Sequence, residues 1–425
     1  MSDNITVIKP LEGPMHGSTR VPGDKSISHR AVLFSAMAEG TSRVSGVLDS
    51  ADVRSSIGAV RALGAQVNLE KQADGSLAGG ITGWGAAGPS QPEAPIDCGN
   101  SGTTVRLLMG ILAPWGIEVT LTGDSSLCKR PMRRITAPLM KMGARFLPEG
   151  RETLPITVHG GGLRPLTYDA PMASAQLKTA VLLAGMYASG TTTVNEPAPS
   201  RNHTELMLPE YGVATTAGAE VLVPGDPSSA AFLACAAVLR PESSIQIEDV
   251  SLNTARIGFV RTLERMGAQV SVAHTGAAGK EPYGIIEACY TPDLRGCEVP
   301  ADKIAGIIDE IPVLALVAAH AHGITVFRQV GELRVKETDR LAAIMDGLAK
   351  LGVDTWCEGD DLYIEGQPGL QIPEGLEFDS LGDHRLAMTW SLVGLTGKVS
   401  VNIKDFEAVC VSYPGFLDDI ERLAR

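Results

Sequence analysis

Val21-Pro22-Gly23-Asp24-Lys25-Ser26 and Val223-Pro224-Gly225-Asp226-Pro227-Ser228 are two copies of one phrase, 202 residues apart. Each precedes a run of small residues with helical spacing. A second phrase recurs around them: an apolar helix pattern, a glycine, then Ala or Val and strand-like residues. It stands at Leu63-Gly64-Ala65, Met142-Gly143-Ala144, Tyr211-Gly212-Val213, Met266-Gly267-Ala268 and Leu351-Gly352-Val353. The glycine is the expected left-handed cap of each helix. Apolar periodicity predicts twelve helices, near 26–39, 51–63, 101–113, 131–142, 174–188, 203–211, 227–240, 255–266, 308–321, 336–351, 383–394 and 414–424. Val/Ile/Thr-rich runs at Glu118–Leu121 and Gly323–Phe327 predict strands. The first helix of each pair starts near 26, 101, 174, 227, 308 and 383, at intervals of 75, 73, 53, 81 and 75 residues. Six units of this kind predict an α/β protein of two three-repeat domains, divided at the second Pro-Gly-Asp.

Composition fits such a chain. Its 425 residues are 44% hydrophobic, enough for one large core or two ordinary ones. The net charge of −13 argues against nucleic acid or an anionic membrane as a general partner. The apolar run Ile311–Ala319 is too short to span a bilayer, which takes roughly 20 residues. The opening MSDNITVIKPLEG lacks a signal-peptide pattern, and seven cysteines show no CxxC pair. A cytoplasmic protein with reduced thiols is expected.

Cations and small residues gather at helix starts. Lys25 and Arg30 flank the first helix with Ser26 and Ser28. Asn100-Ser101-Gly102-Thr103-Thr104 opens the third, with Arg106 one turn in. Lys129-Arg130-Pro131 opens the fourth, Ser174-Ala175-Gln176 the fifth and Asp383-His384-Arg385 the eleventh. A helix start offers unpaired N–H groups and a positive dipole end, which suit an anion. Arginine adds a bidentate fork and lysine a point charge. Any one such site is ordinary capping; five in equivalent places point to small anionic ligands. Lys336 and Arg340 are expected on one face of the tenth helix, beside Glu337. Asp309 and Glu310 are expected to begin the ninth helix and to offer a base. No GxxxxGK[ST] loop, HExxH pair or GxSxG elbow occurs.

These phrases resemble the 5-enolpyruvylshikimate-3-phosphate synthase family. The resemblance rests on PGDKSISHR (22–30), GNSGTTVR (99–106), KRPM (129–132), SAQLKTA (174–180), PGDPSSAAF (224–232), IDEIP (308–312), ELRVKETDRL (332–341) and DHRLAM (383–388). It implies two inside-out α/β barrel-like domains, each of three repeats with pseudo-threefold symmetry. One would cover residues 21–223 and the other 1–20 plus 224–425, with the active site in the cleft between them. It further implies addition of the 5-hydroxyl of shikimate-3-phosphate to phosphoenolpyruvate, then loss of phosphate from a tetrahedral intermediate. By resemblance, Lys25, Asp309 and Glu337 are catalytic. Lys25, Ser26, Arg30, Ser174, Gln176, Arg201, Asp309 and Lys336 bind shikimate-3-phosphate. Lys25, Gly102, Arg130, Gln176, Arg340 and Arg385 bind phosphoenolpyruvate, at the place where glyphosate inhibits. No metal or organic cofactor, no nucleic-acid or membrane partner, and a monomer are expected.

Three features depart from the family pattern. Ala175 stands where many members carry a second serine. Val411 stands where some carry a lysine. The segment 212–224 is shorter by about one hairpin. Two rival readings remain: a sister transferase acting on UDP-N-acetylglucosamine, and a non-catalytic anion-binding relative. The sister's cysteine, five residues before Arg-Pro, is here Ser125.

Overall fold

The computed structural model describes residues 4–211 and 218–425. The expected cap at Gly212, and residues 212–217 of the short segment, lie outside the described residues.

Strands β1 (Ile5–Ile8) and β2 (His16–Arg20) precede the first phrase. A helix, strand, helix, hairpin order then repeats. The first repeat is α1 (Lys25–Met37), β3 (Thr41–Val47), α2 (Ala51–Ala62), β4 (Gln66–Lys71) and β5 (Leu77–Thr82). A linking strand, β6 (Ile96–Asp97), leads to α3 (Gly102–Leu112), β7 (Glu118–Thr122), α4 (Arg133–Met142), β8 (Arg145–Leu147) and β9 (Ile156–His159). Next come β10 (Thr167–Asp169), α5 (Ala175–Gly185), β11 (Thr193–Asn195) and α6 (His203–Met207). After β12 (Glu220–Leu222), the fourth repeat is α7 (Pro227–Leu239), β13 (Ser244–Ser251), α8 (Gly258–Arg265), β14 (Gln269–Ala278) and β15 (Glu281–Cys289). The fifth is β16 (Glu298–Val299), a short α9 (Ala301–Ile304), α10 (Ile311–Ala319), β17 (Gly323–Phe327), α11 (Arg340–Lys350), β18 (Thr355–Glu358) and β19 (Asp361–Gly366). The chain closes on β20 (Glu377–Asp379), α12 (His384–Thr396), β21 (Val401–Lys404) and α13 (Phe416–Leu423). Each expected helix has a counterpart, and α9 is an addition. Gly64, Gly143, Gly267 and Gly352 all take positive φ, as helix caps on a Cβ-free residue do.

The sheets repeat as well. Four have one order: β12-β3-β5-β4, β6-β7-β9-β8, β2-β13-β15-β14 and β16-β17-β19-β18. In each, the linking strand runs parallel to the strand after the first helix. That strand pairs antiparallel with one arm of the hairpin. Strands β10 and β11 pair alone, and β1 joins β21 antiparallel with Ile5 opposite Lys404. The chain divides into two compact units, one of Gly23–Pro224 with Ala277–Glu281, the other of Met1–Pro22, Gly225–Gly276 and Pro282–Arg425.

First helices are the most buried elements. Every residue of α10 is buried, and so are Pro227–Val238 of α7. Each Leu, Ile or Val sealed there stabilises by about 1.5–3 kcal/mol. No helix among the described residues is long and apolar enough to cross a membrane.

Several helix starts differ from expectation, and three of them bear on the residues singled out above. The tenth helix begins at Arg340, because Asp339 accepts from Ala342 N at 3.0 Å and caps it there. Lys336 is extended, so it and Arg340 do not share a helix face. The ninth begins at Ile311, leaving Asp309 and Glu310 just before it. The fourth begins at Arg133, after a short turn at Leu127–Lys129.

Helices α3 and α5 approach unusually closely. A Cβ on Gly110 would lie 2.3 Å from the Ala180 carbonyl oxygen and 2.6 Å from its Cα. Gly110→Ala is expected to lower stability by about 1–3 kcal/mol, read by urea or thermal unfolding. An unchanged transition would contradict this close contact.

Candidate active site

In the unit Gly23–Pro224, the N-termini of the three first helices are tied together. Asp24 caps α1, its carboxylate accepting from Ile27 N at 2.8 Å. Ser101 caps α3, accepting from Thr104 N at 3.1 Å. Ser174 begins α5, accepting from Leu177 N at 3.4 Å. Arg30 runs beneath α1 and α5. It donates to Thr204 Oγ1 and Thr179 Oγ1, each at 2.9 Å, and to the Ser26 carbonyl at 3.0 Å. Burial lowers its pKa to about 10, only partly countered by the Asp24 and Glu205 charges. Arg106 donates to Gln176 Oε1 at 2.8 Å, and Gln176 Nε2 donates to Thr103 Oγ1 at 3.0 Å. These bonds lock the starts of α3 and α5.

Polar groups line these ends. Lys25 Nζ lies 3.3 Å from Asp52 Oδ2, with both side chains partly exposed. Arg130 donates to Asn100 Oδ1 at 2.6 Å, and its NH1 would stand 3.5 Å from a Cβ on Gly102. Arg201, half-buried, lies between β11 and α6, and its charge acts on Arg30. Behind Ser174, Lys178 Nζ bridges Glu196 and Glu205, at 2.8 Å each. Burial pushes the Glu196 carboxyl up, but Lys178 and the Ser174 amide, which donates to it at 3.2 Å, help hold it below its ordinary value.

In the other unit a single guanidinium organises the carboxylates. Arg340 is 1% exposed. Its Nε and NH2 reach Asp383 at 2.8 and 3.3 Å, NH1 reaches Asp309 at 3.1 Å and NH2 reaches Glu337 at 2.7 Å. Burial lowers the Arg340 pKa, but Asp383, Glu337 and Asp309 more than offset this and raise it. Asp383 also caps α12, accepting from Arg385 N at 2.9 Å. Arg385 NH1 donates to the Asp309 carbonyl at 3.0 Å and lies 3.7 Å from Glu310. Lys336 Nζ lies 3.8 Å from Asp309 and 3.5 Å from Glu332. Glu310 accepts from Ser228, which also accepts from Arg256 at 3.0 Å.

The structure therefore gathers Lys25, Ser26, Arg30, Gly102, Arg130, Ser174 and Gln176 at helix ends of one unit. It gathers Asp309, Lys336, Glu337, Arg340 and Arg385 at helix ends of the other. The first cluster is rich in cationic and amide donors, and the second interleaves cations with carboxylates. Sequence reasoning did not single out Asp52, Lys178, Glu196 or the Thr179–Thr204 pair. Lys178 lies within the quoted SAQLKTA phrase, but its acidic partners are distant in sequence. No group of three or more His, Cys, Asp or Glu able to hold a metal occurs among the described residues. All seven cysteines are free thiols.

The chain matches the family profile described as EPSP synthase (3-phosphoshikimate 1-carboxyvinyltransferase) over residues 10–420. It is 42% identical to the 3-phosphoshikimate 1-carboxyvinyltransferase of Bacillus pumilus, across 97% of this chain and 98% of that one. The Brevibacillus brevis enzyme of that name is 41% identical, across 96% and 97%. A solved EPSP synthase from Acinetobacter baumannii superposes with a TM-score of 0.86 at 38% identity, covering 99% and 98%. The enolpyruvyl transferase NikO from Streptomyces tendae shares the fold, with a TM-score of 0.78 at 18% identity.

One turn below Lys25, His29 is fully buried. Burial lowers its pKa to about 3; Asp52 opposes this and Lys25 and Arg30 add to it. The unfolded chain therefore binds a proton that the folded ring refuses. This contribution to stability is whole above about pH 6.5 and fades as pH falls toward 3, by up to about 1.4 kcal/mol per pH unit. Unfolding of His29→Leu measured across that window is expected to show a flatter pH slope than the parent. An identical slope would contradict a neutral buried ring.

Proposed function

The chain belongs to the EPSP synthase family, and we propose from that premise that its two clusters divide the work of one reaction. It is a 3-phosphoshikimate 1-carboxyvinyltransferase of the shikimate pathway, carrying the enolpyruvyl group of phosphoenolpyruvate to shikimate-3-phosphate. The observation that carries the division is the shared guanidinium: Asp309 and Glu337, two carboxylates for two proton transfers, are both held by Arg340.

Shikimate-3-phosphate is bound by Lys25, Ser26, Ser174, Gln176, Arg201 and Lys336, its phosphate at the start of α5. Arg30, 2% exposed, holds the turn under Lys25 and Ser26 and forms the floor for the shikimate ring. Phosphoenolpyruvate is bound by Lys25, Gly102, Arg130, Gln176, Arg340 and Arg385. Asp309 takes the proton of the 5-hydroxyl as its oxygen adds to C2, and Glu337 supplies the proton to C3. The resulting tetrahedral intermediate expels phosphate, and C3 gives a proton back. Lys25 meets the charge on the departing phosphate. Fixed cations supply the charge stabilisation, so the steps need no group beyond these side chains. Each unit is read as an inside-out barrel with pseudo-threefold symmetry. Its support is the nearly complete burial of α1 and α3 in one unit and of α7 and α10 in the other, beside repeated sheets. Free thiols agree with a cytoplasmic setting.

The sister reading predicts turnover with UDP-N-acetylglucosamine. Phosphate release from phosphoenolpyruvate is expected with shikimate-3-phosphate only, and release only with the sugar nucleotide would overturn the assignment. Lys25→Met and Glu337→Ala are expected to lower kcat by at least about 100-fold while leaving the fold intact by circular dichroism. Near-normal rates would remove those residues from the chemistry. Glyphosate is expected to inhibit at the Gly102 end. An added Cβ there would stand 2.8 Å from Arg106 NH1, so alanine presses on a guanidinium as well as on the ligand. Gly102→Ala is expected to weaken inhibition more than it weakens phosphoenolpyruvate binding; equal inhibition of parent and variant would contradict this placement.

A further inference from the structure

Beneath the Lys25–Asp52 pair lies a second pair, wholly buried and uncharged. Lys25 and His29 are one turn apart on α1, and Asp52 and Ser56 are one turn apart on α2, so each pair shares a helix face. His29 Nδ1 is 2.8 Å from Ser56 Oγ. Ser56 Oγ is 2.7 Å from Thr104 Oγ1 on α3, and Thr104 Oγ1 is 2.7 Å from Ser101 Oγ, the cap of that helix. His29, Ser56, Thr104 and Ser101 are all 0% exposed. The four groups form one chain across three helices and end beside Gly102.

Its polarity follows from the one atom left over. His29 Nε2 is buried with no hydrogen-bond partner among the described residues. A buried N–H without an acceptor is costlier and rarer than a bare lone pair, so the proton sits on Nδ1. With the ring neutral, Nδ1–H donates to Ser56, Ser56 to Thr104 and Thr104 to Ser101. Ser101 Oγ also accepts the Thr104 amide. Thr104 Oγ1 also lies 3.4 Å from the Asp52 carbonyl oxygen, a second and longer acceptor that ties the chain to the start of α2.

We propose that His29, Ser56 and Thr104 are positioning residues: their hydrogen-bonded chain sets the α3 N-terminus, and Gly102 with it, against Lys25 and Asp52. This rests on the reading that Gly102 lies at the phosphoenolpyruvate place. The chain touches no substrate. It acts by holding two anion-binding ends in register, and a misplacement of one end costs affinity for the ligand both ends share.

The test is steady-state kinetics of Thr104→Val, which replaces the central hydroxyl by a methyl. The KM for phosphoenolpyruvate is expected to rise roughly tenfold, the worth of one or two buried hydrogen bonds. The KM for shikimate-3-phosphate and kcat are expected to stay within about twofold, and Thr104→Ser to restore the parent value. If Thr104→Val loses stability, Ser56→Ala removes one oxygen and carries the same expectation. An unchanged phosphoenolpyruvate KM, an equal rise in both KM values, or no rescue by serine would overturn the proposal. Gly102→Ala separates the two layers of argument. If it raises the phosphoenolpyruvate KM and Thr104→Val does not, the positioning chain alone falls. If Gly102→Ala leaves phosphoenolpyruvate and glyphosate binding untouched, the placement of that ligand falls instead.

Discussion

A guanidinium taken out of water must find its charge partners inside the protein, and Arg340 is the clearest case in this chain. An unpaired ion at 1% exposure would cost several kcal/mol. Three carboxylates offset that cost, and each belongs to a different piece of the fold. Asp383 is the cap of α12, Asp309 precedes α10, and Glu337 precedes α11. The positions of three helix starts are thus coupled to one side chain. The same bonds that make the buried charge tolerable hold in place the two carboxylates that we propose as the proton-transfer pair.

The other unit solves the equivalent problem with less charge. Its helix starts are joined by Arg30 to two threonine hydroxyls and by Arg106 to Gln176. Helix dipoles and unpaired N–H groups add to this potential without the desolvation cost of further ions. One cluster is therefore rich in donors for anions, the other in paired carboxylates and cations. Repetition places three equivalent helix ends together in each unit, and substitution at those ends gives the units different chemistry. Where α1 begins Asp24-Lys25-Ser26, α7 begins Asp226-Pro227-Ser228. The cap is kept and the lysine is not.

The architecture was legible because its signals are local. A glycine after an apolar helix needs only its own neighbours to be read, and Gly64, Gly143, Gly267 and Gly352 all have the left-handed conformation. Gly323–Phe327 forms the expected strand with the expected ends. Family phrases carried the reaction, and the match over residues 10–420 bears that reading out. Competing caps defeated the finer reading. Asp339 follows the bend that holds Lys336 and Glu337 and caps the helix there, so periodicity placed the helix start four residues early. Long-range pairs left no pattern to read: Arg30 meets Thr204 across 174 residues, and Ser56 meets Thr104 across 48. Nothing in the sequence distinguishes a buried arginine from one that faces a ligand.

Arg340 is the place to test whether one side chain both binds and organises. Lysine keeps its charge but lacks the planar fork that engages three carboxylates. The decisive measurement is kcat of Arg340→Lys with both substrates saturating, beside the parent enzyme. A fall of at least about 100-fold is predicted, because Asp309 and Glu337 lose their fixed orientation even when every site is filled. A normal kcat with only a raised KM for phosphoenolpyruvate would mean that Arg340 merely binds that substrate, and the account of the shared guanidinium would be wrong.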